Sequence, residues 1–275
     1  MVSLKKIFQI IKIIIKNPKV LGYVYEHDNP TKNYVIKHYG LKNGLPTIDF
    51  QDILPDFKET ITHYSALSYG STISDYALLK GLARKFKECR YLEIGTWLGE
   101  SLVNVASISK ECISISLSDN ELKQKGVTKE EISIQRIFSK NISNIKHIKH
   151  NSKTFDFSSI GTFDFIFIDG DHSYNGVKKD TENAFKVLKD DCSIIVWHDY
   201  SDLSGTAINW GVLSGILDGC PKKYINNLFH VSNTMCLIYI NREFIVKNIP
   251  SHSPNKFFTL DISLKEFSVS FFTPL

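Results

Sequence analysis

The sequence predicts an α/β protein, a mostly parallel sheet with helices on both faces, and three observations carry that reading. From Ser74 onward, strand-length apolar runs alternate with helix-length amphipathic ones. Two of the runs, Phe163–Ile168 and Ser193–Trp197, are almost wholly apolar, as strands covered on both faces are. Both stop abruptly at acids and histidines: Asp169-Gly170-Asp171-His172 after the first, His198-Asp199-Tyr200 after the second. In open α/β sheets, ligands bind outside the carboxyl ends of the strands, so these clusters stand where the chemistry would be.

The elements follow in order. Ser74-Asp75 caps a helix through about Lys87, with Ala77, Leu78, Leu82 and Phe86 on one face. Cys89–Gly95 is a strand, Gly99–Ser109 a helix and Cys112–Leu117 a strand. Thr128-Lys129-Glu130-Glu131 forms a capping box that starts a helix to about Ser139. Ile145–Lys149 and Phe163–Asp169 are strands. In the helix Gly176–Lys189, Val177, Thr181, Ala184, Phe185 and Leu188 form one stripe. Cys192–Trp197 is a strand and Ala207–Leu217 a helix. Leu228–Val231 and Met235–Ile240 pair as a hairpin turning at Ser232-Asn233.

Residues 1–71 read as an N-terminal extension. Asn29-Pro30, Gly40, Asn43-Gly44, Pro46 and Pro55 punctuate it, so no long regular element is expected after its first helix. That helix lies in Leu4–Val20 and ends near Asn17-Pro18. Lys12 and Lys16 interrupt its isoleucines, so it is too short and too charged to span a bilayer. It also lacks the small-residue cleavage site of a signal peptide. A basic amphipathic helix of this kind either docks on a membrane face or a partner, or packs on its own domain or a dimer mate. The tail, 246–275, is aromatic and irregular.

Composition excludes some functions. A net charge of +4, with lysine far outnumbering arginine, gives no case for nucleic acid. The five cysteines contain no C-x-x-C pair. Cys89, Cys112 and Cys192 open strand runs and are expected as buried, reduced thiols, which suits a cytoplasmic location.

Tyr91–Ser101 is a strand–turn–helix with Glu93 two residues before Gly95. Gly95 allows a tight turn and Gly99 a close approach. The loop is not the dinucleotide fingerprint, because Trp97 stands where a ring would obstruct a pyrophosphate.

These residues resemble a family. E-I-G-x-W-x-G-x-S, then F-D-x-I-F-I-D-G-D-H-S-Y, then H-D-Y, is similar to class I S-adenosylmethionine-dependent methyltransferases. The branch is that of metal-dependent sugar and antibiotic O-methyltransferases, with relatives in surface-polysaccharide clusters. The resemblance covers roughly residues 72 to 241, and the S-adenosylmethionine-binding methyltransferase domain is set at 72–245. It implies a Rossmann-like seven-stranded sheet with the last strand antiparallel. Glu93, Gly95, Trp97, Gly99 and Ser101 would line the methionine end of the cofactor. The family's ribose-holding acid has Ser116 at its closest position here, so Asp119 is assigned in its place. The adenine side falls on Asn151-Ser152, and Asp169 also faces the cofactor.

Asp169, Asp171, His198 and Asp199 converge from two neighbouring strand ends and would repel one another unless protonated or bridged by a cation. The resemblance implies Asp169, His198 and Asp199 as metal ligands. Magnesium is the default, and the histidine, where the family usually has an acid, admits manganese. The implied reaction is methyl transfer to a hydroxyl of a glycan or glycosylated small molecule, with Asp171 or His172 taking the proton. Asp171 also fits a helix cap, His172 a turn residue and Asp199 a cap after its strand. Trp197 and Tyr200 read as wall or core.

Three other classes meet the same residues. A nicotinamide oxidoreductase is opposed by Trp97 and the missing third glycine. A non-catalytic binding protein on this fold is suggested by Ser116 and His198. A metal hydrolase would use the acids but leave the Glu93–Gly99 turn without a role.

Overall fold

The computed structural model describes residues 4–16, 29–67, 70–246 and 256–266. Its elements are α1 (Leu4–Lys16), α2 (Pro30–Tyr39), β1 (Thr47–Ile48), α3 (Phe50–Ile53), α4 (Ile73–Ala83), β2 (Arg90–Ile94), α5 (Glu100–Ala106), β3 (Glu111–Ser116), α6 (Asp119–Gln124), α7 (Lys129–Ser133), β4 (Ile145–Lys149), β5 (Phe165–Ile168), α8 (Tyr174–Lys186), β6 (Ile194–Trp197), α9 (Trp210–Gly219), β7 (Leu228–Val231) and β8 (Leu237–Tyr239). Short 3-10 turns sit at Phe157–Ile160 and Lys222–Asn227.

One sheet runs in the order β1-β7-β8-β6-β5-β2-β3-β4. All its pairings are parallel except those of β8, which is antiparallel to both β6 and β7. The strand pleat sends alternate side chains to opposite faces, and each face has its own core. Leu92, Ile94, Ile166, Ile168, Ile195 and Trp197 pack on one side with Val177, Leu213 and Ile216. Tyr91, Phe165, Phe167, Ile194 and Val196 pack on the other with Leu78, Leu82 and Leu102. The α/β reading holds, with helices on both faces. Trp197 and Tyr200 are each 1% exposed.

The sheet has eight strands rather than seven. β1 adds an edge, with Thr47 paired to His230 and Ile48 to Val231. Two residues carry no readable periodicity, so the strand was invisible in the sequence. Residues 29–67 are also more regular than expected. Asn29 accepts hydrogen bonds from the amides of Thr31 and Lys32, Pro30 opens α2, and Gly40 closes it at φ +72. The punctuation marked the ends of a helix rather than its absence.

Other corrections are local. The cap of α4 is Thr72, which receives the Asp75 amide while the Asp75 carboxylate takes the Thr72 amide. α7 stops at Ser133, and Arg136 stands at φ +61. Cys192 is exposed, one turn before β6, while Cys89, Cys112, Cys220 and Cys236 are buried thiols. Within the tail, Lys256 reaches Asp49 at 3.1 Å and Phe258 meets the Phe50 ring edge-on. The rest of 246–275, apart from residue 246 and residues 256–266, lies outside the described residues.

Candidate active site

The chain steps from β2 to β3 on one side and from β5 to β6 on the other, so the sheet's order reverses between β2 and β5. Beyond the carboxyl ends of such a pair lies the binding crevice of this architecture. β2 gives way to Gly95 at φ +92, where a Cβ would stand 2.0 Å from the Asp169 carbonyl oxygen. Only glycine lets the two strand ends approach so closely. The loop after β5 is thereby held against the loop after β2.

A cavity of about 430 Å³ opens there. Gly95, Thr96 and Trp97 form one wall and Ile115, Ser116, Leu117 and Leu122 a second. His150, Asn151, Ser152 and Lys153 make a third, and Asp169, Gly170, Asp171 and His172 the rim. Its size and mixed lining suit a small organic molecule.

Not every expected cofactor residue lines this space. Gly95, Trp97, Ser152 and Asp169 do. Gly99 is the N-cap of α5 at φ +85, with the Ser139 side chain against it. Glu93 is fully buried beneath the turn. It accepts from Tyr91 Oη at 2.9 Å and Thr96 Oγ1 at 2.7 Å. Burial raises its carboxyl to about 7, and Ser101 adds a bond that opposes the rise. Glu93 and Ser101 therefore brace the loop from below.

Asp119 is placed outside the lining, contrary to the sequence expectation. Lys149 Nζ holds it at 3.0 Å and Arg136 at 3.3 Å, and these cations lower its pKa, Lys149 foremost. Ser116 lines the cavity instead, its hydroxyl receiving Arg136 at 2.9 Å. Asp119 sits one residue past a cap, at the start of α6, which turns it toward those cations.

The rim concentrates charge. Among the described residues, ligand atoms of Asp169, His172 and Asp199 lie within 4.8 Å of one another. His172 Nε2 is 2.9 Å from Asp199 and 3.5 Å from Asp169. Hydrogen bonding to Asp169, then Asp199, raises this imidazole to about 10, so it is an imidazolium at neutral pH. His198, expected among the metal ligands, is buried behind the rim. Its Nδ1 faces Asp199 at 3.2 Å and Asp169 at 3.5 Å, and its Nε2 faces Asp75 at 3.4 Å. A neutral imidazole has one donor, so a ring with carboxylates at both nitrogens is protonated. Burial opposes that charge, but Asp169 and the bonds to Asp199 and Asp75 outweigh it and raise the pKa well above the ordinary value.

Three carboxylates, from Asp75, Asp169 and Asp199, thus face two imidazoliums. His172 takes the position in the converging set that the sequence reading gave to His198. Two carboxylates and one imidazole are a donor set that fits a divalent ion, and the nitrogen suits manganese or zinc better than magnesium.

Asp75 escaped the sequence reading except as a cap. It is fully buried, accepts the Met235 amide at 2.8 Å and anchors His198 from 123 residues away in sequence, a distance no local pattern bridges. Asp171 lines the rim but is engaged elsewhere. Lys153 Nζ is 2.5 Å from it and the Ser173 amide 2.9 Å. Burial works against the charge, yet these bonds hold the carboxyl down at about 2.

Comparison with known proteins fits this geometry. Residues 92–200 match the family model described as a methyltransferase domain, a stretch that runs from β2 to just past β6 and includes Asp169, His172 and Asp199. No curated protein matches the chain. Among solved structures, YcgJ of Bacillus subtilis is similar at 21% identity and TM-score 0.37, over 47% of this chain and 52% of that one. The chain thus spans about half the length of that relative. A candidate O-methyltransferase of Klebsiella pneumoniae is similar at 14% identity and TM-score 0.44, over 82% and 97%. The N-methyltransferase NodS of Bradyrhizobium japonicum, in complex with S-adenosylhomocysteine, is similar at 16% identity and TM-score 0.40, over 60% and 83%.

Proposed function

We propose that the protein is an S-adenosylmethionine-dependent O-methyltransferase, assisted by a divalent metal, acting on a hydroxyl of a glycan or glycosylated small molecule. The observation that carries the reading is the convergence of Asp199 with Asp169 and His172, two residues that line the cavity formed at the glycine turn. The acceptor class rests on the resemblance of I-D-G-D-H-S-Y and H-D-Y to sugar and antibiotic O-methyltransferases.

When bound, the cofactor supplies a methyl group on a sulfonium, which needs alignment more than activation. The Gly95–Trp97 wall would take its amino-acid end. Ser116 and the Asn151–Ser152 loop would take the ribose and adenine. Asp169, His172 and Asp199 would hold the divalent ion, whose chemistry is to lower the pKa of a bound hydroxyl. Charge supports this. Three carboxylates against two imidazoliums leave one negative charge uncompensated. A divalent ion taken up in exchange for the His172 proton brings the group to neutrality. Asp171 is a poor proton acceptor while Lys153 holds it, and His172 would be occupied by the ion, so the proton of the acidified hydroxyl would pass to bulk water.

Calorimetric titration with S-adenosylhomocysteine tests the cofactor, with a nicotinamide dinucleotide as control. Micromolar binding of the homocysteine compound alone is expected. Absence of binding by folded protein overturns the reading.

A further inference from the structure

Among the described residues, no side chain of helix α1 lines the cavity or belongs to either apolar core. Its thirteen residues, LKKIFQIIKIIIK, hold Lys5, Lys6, Lys12 and Lys16 and no acid. At 3.6 residues per turn, Ile7, Phe8, Ile11, Ile14 and Ile15 fall within an arc of about 120°. Gln9, Lys12 and Lys16 fall together on another arc. The apolar arc faces solvent: Phe8 is 71% exposed, Ile15 73%, Ile11 46% and Ile7 43%.

A face this apolar needs a covering, and its chemistry says which. Its own domain leaves those side chains in water. A second copy packed arc to arc about a two-fold axis would cover the apolar side chains but leave the acid-free lysine arc without an opposite charge. An anionic bilayer satisfies both faces at once. Isoleucine and phenylalanine enter the acyl boundary, and the lysines meet lipid phosphates. The helix is roughly 20 Å long against a hydrocarbon core of about 30 Å, so it lies along the surface. No helix among the described residues is long and apolar enough to cross a membrane.

We propose that α1 docks the protein on an anionic phospholipid bilayer, with its apolar arc in the acyl boundary and its lysines against the headgroups. This inference stands on the helix alone and is independent of the methyl-transfer reading.

The test is co-sedimentation of the full chain with vesicles of phosphatidylcholine alone or mixed with phosphatidylglycerol. The protein binds the mixed vesicles, binds the neutral ones roughly a hundredfold more weakly, and is released by raised salt. The double variant Phe8→Glu, Ile11→Glu loses vesicle binding while keeping its melting temperature and its affinity for S-adenosylhomocysteine. Failure of the unaltered chain to bind the mixed vesicles overturns the proposal, as does equal binding by the double variant. Light scattering that finds a dimer converted to monomer by the double variant, with no vesicle binding by either, assigns the face to a second copy and overturns it too.

Discussion

His172 Nε2 lies 2.9 Å from Asp199 Oδ2, and this imidazolium closes the rim of the cavity. The same ring stands 3.5 Å from Asp169, so one proton is shared by the groups best placed to hold a metal. The proposed metal uptake would therefore compete with this proton. Manganese affinity is expected to rise as pH increases from about 6 toward 9, with close to one proton released per ion bound. Calorimetry in two buffers of different ionisation enthalpy measures that number, and a pH-independent affinity would contradict the exchange.

The same group has a stability signature in metal-free protein. Its folded pKa of about 10 lies above the ordinary value of 6.5. The stabilisation is fully present below about 6.5 and is lost as pH rises through 10. His172→Gln should therefore lower the melting temperature most near pH 6. The gap to the unaltered protein should close near pH 10, with chelator present throughout.

Asp169→Asn keeps the shape of the loop but removes a charge from the rim. Manganese affinity should fall on the order of a hundredfold, with S-adenosylhomocysteine affinity held within about threefold. Loss of S-adenosylhomocysteine affinity with manganese affinity kept would mean that Asp169 serves the nucleotide rather than the ion.

Gly95→Ala and Gly126→Ala separate crowding from backbone strain. Both glycines have positive φ, but a Cβ at Gly95 meets the Asp169 carbonyl at 2.0 Å, whereas at Gly126 nothing lies within 4 Å. The first should cost about 3 kcal/mol or more and abolish cofactor binding. The second should cost about 1 kcal/mol and leave binding intact. Denaturant unfolding of both variants checks the ranking.

Asp180 on α8 is fully buried and carries no hydrogen bond of good geometry to either oxygen. Burial raises its carboxyl from 3.8 to about 6, with Ser152 opposing the rise. The unfolded chain binds fewer protons between those values, so this group lowers stability as pH climbs from about 4 to 6. Asp180→Asn should melt at or above the unaltered protein at pH 8. That advantage should vanish near pH 4, which a pH series of thermal melts would reveal.

Much of the fold was legible because its strands are covered on both faces. Ile145–Lys149 is the strand expected, and Phe165–Ile168 and Ile194–Trp197 lie inside the apolar runs that announced them. The hairpin of β7 and β8 was legible from its turn. β1 was not, since two residues at an edge carry no pattern. α2 was missed because Pro30 and Gly40 read as breaks when they are its two ends. At the site, the residues that end strands were legible, since strand polarity alone places Asp169 and Asp199. Which of two nearby residues reaches the cavity or the converging set was not legible. His172 or His198, and Ser116 or Asp119, differ by loop geometry that sequence spacing does not encode. Asp199, for instance, stands at φ +56, a conformation no residue pattern signalled. Asp75 reaches His198 only through the packing of α4 on the sheet.

The central claim is that one cavity holds the nucleotide while Asp169, His172 and Asp199 hold the ion. The direct measurement is an anomalous difference map at the manganese edge, from crystals grown with S-adenosylhomocysteine and manganese. The account predicts a single peak coordinated by those three side chains, His198 still against Asp75, and the nucleoside between Gly95 and the Asn151–Ser152 loop. A bound nucleoside elsewhere, or no peak at the three residues with manganese in excess, would contradict it.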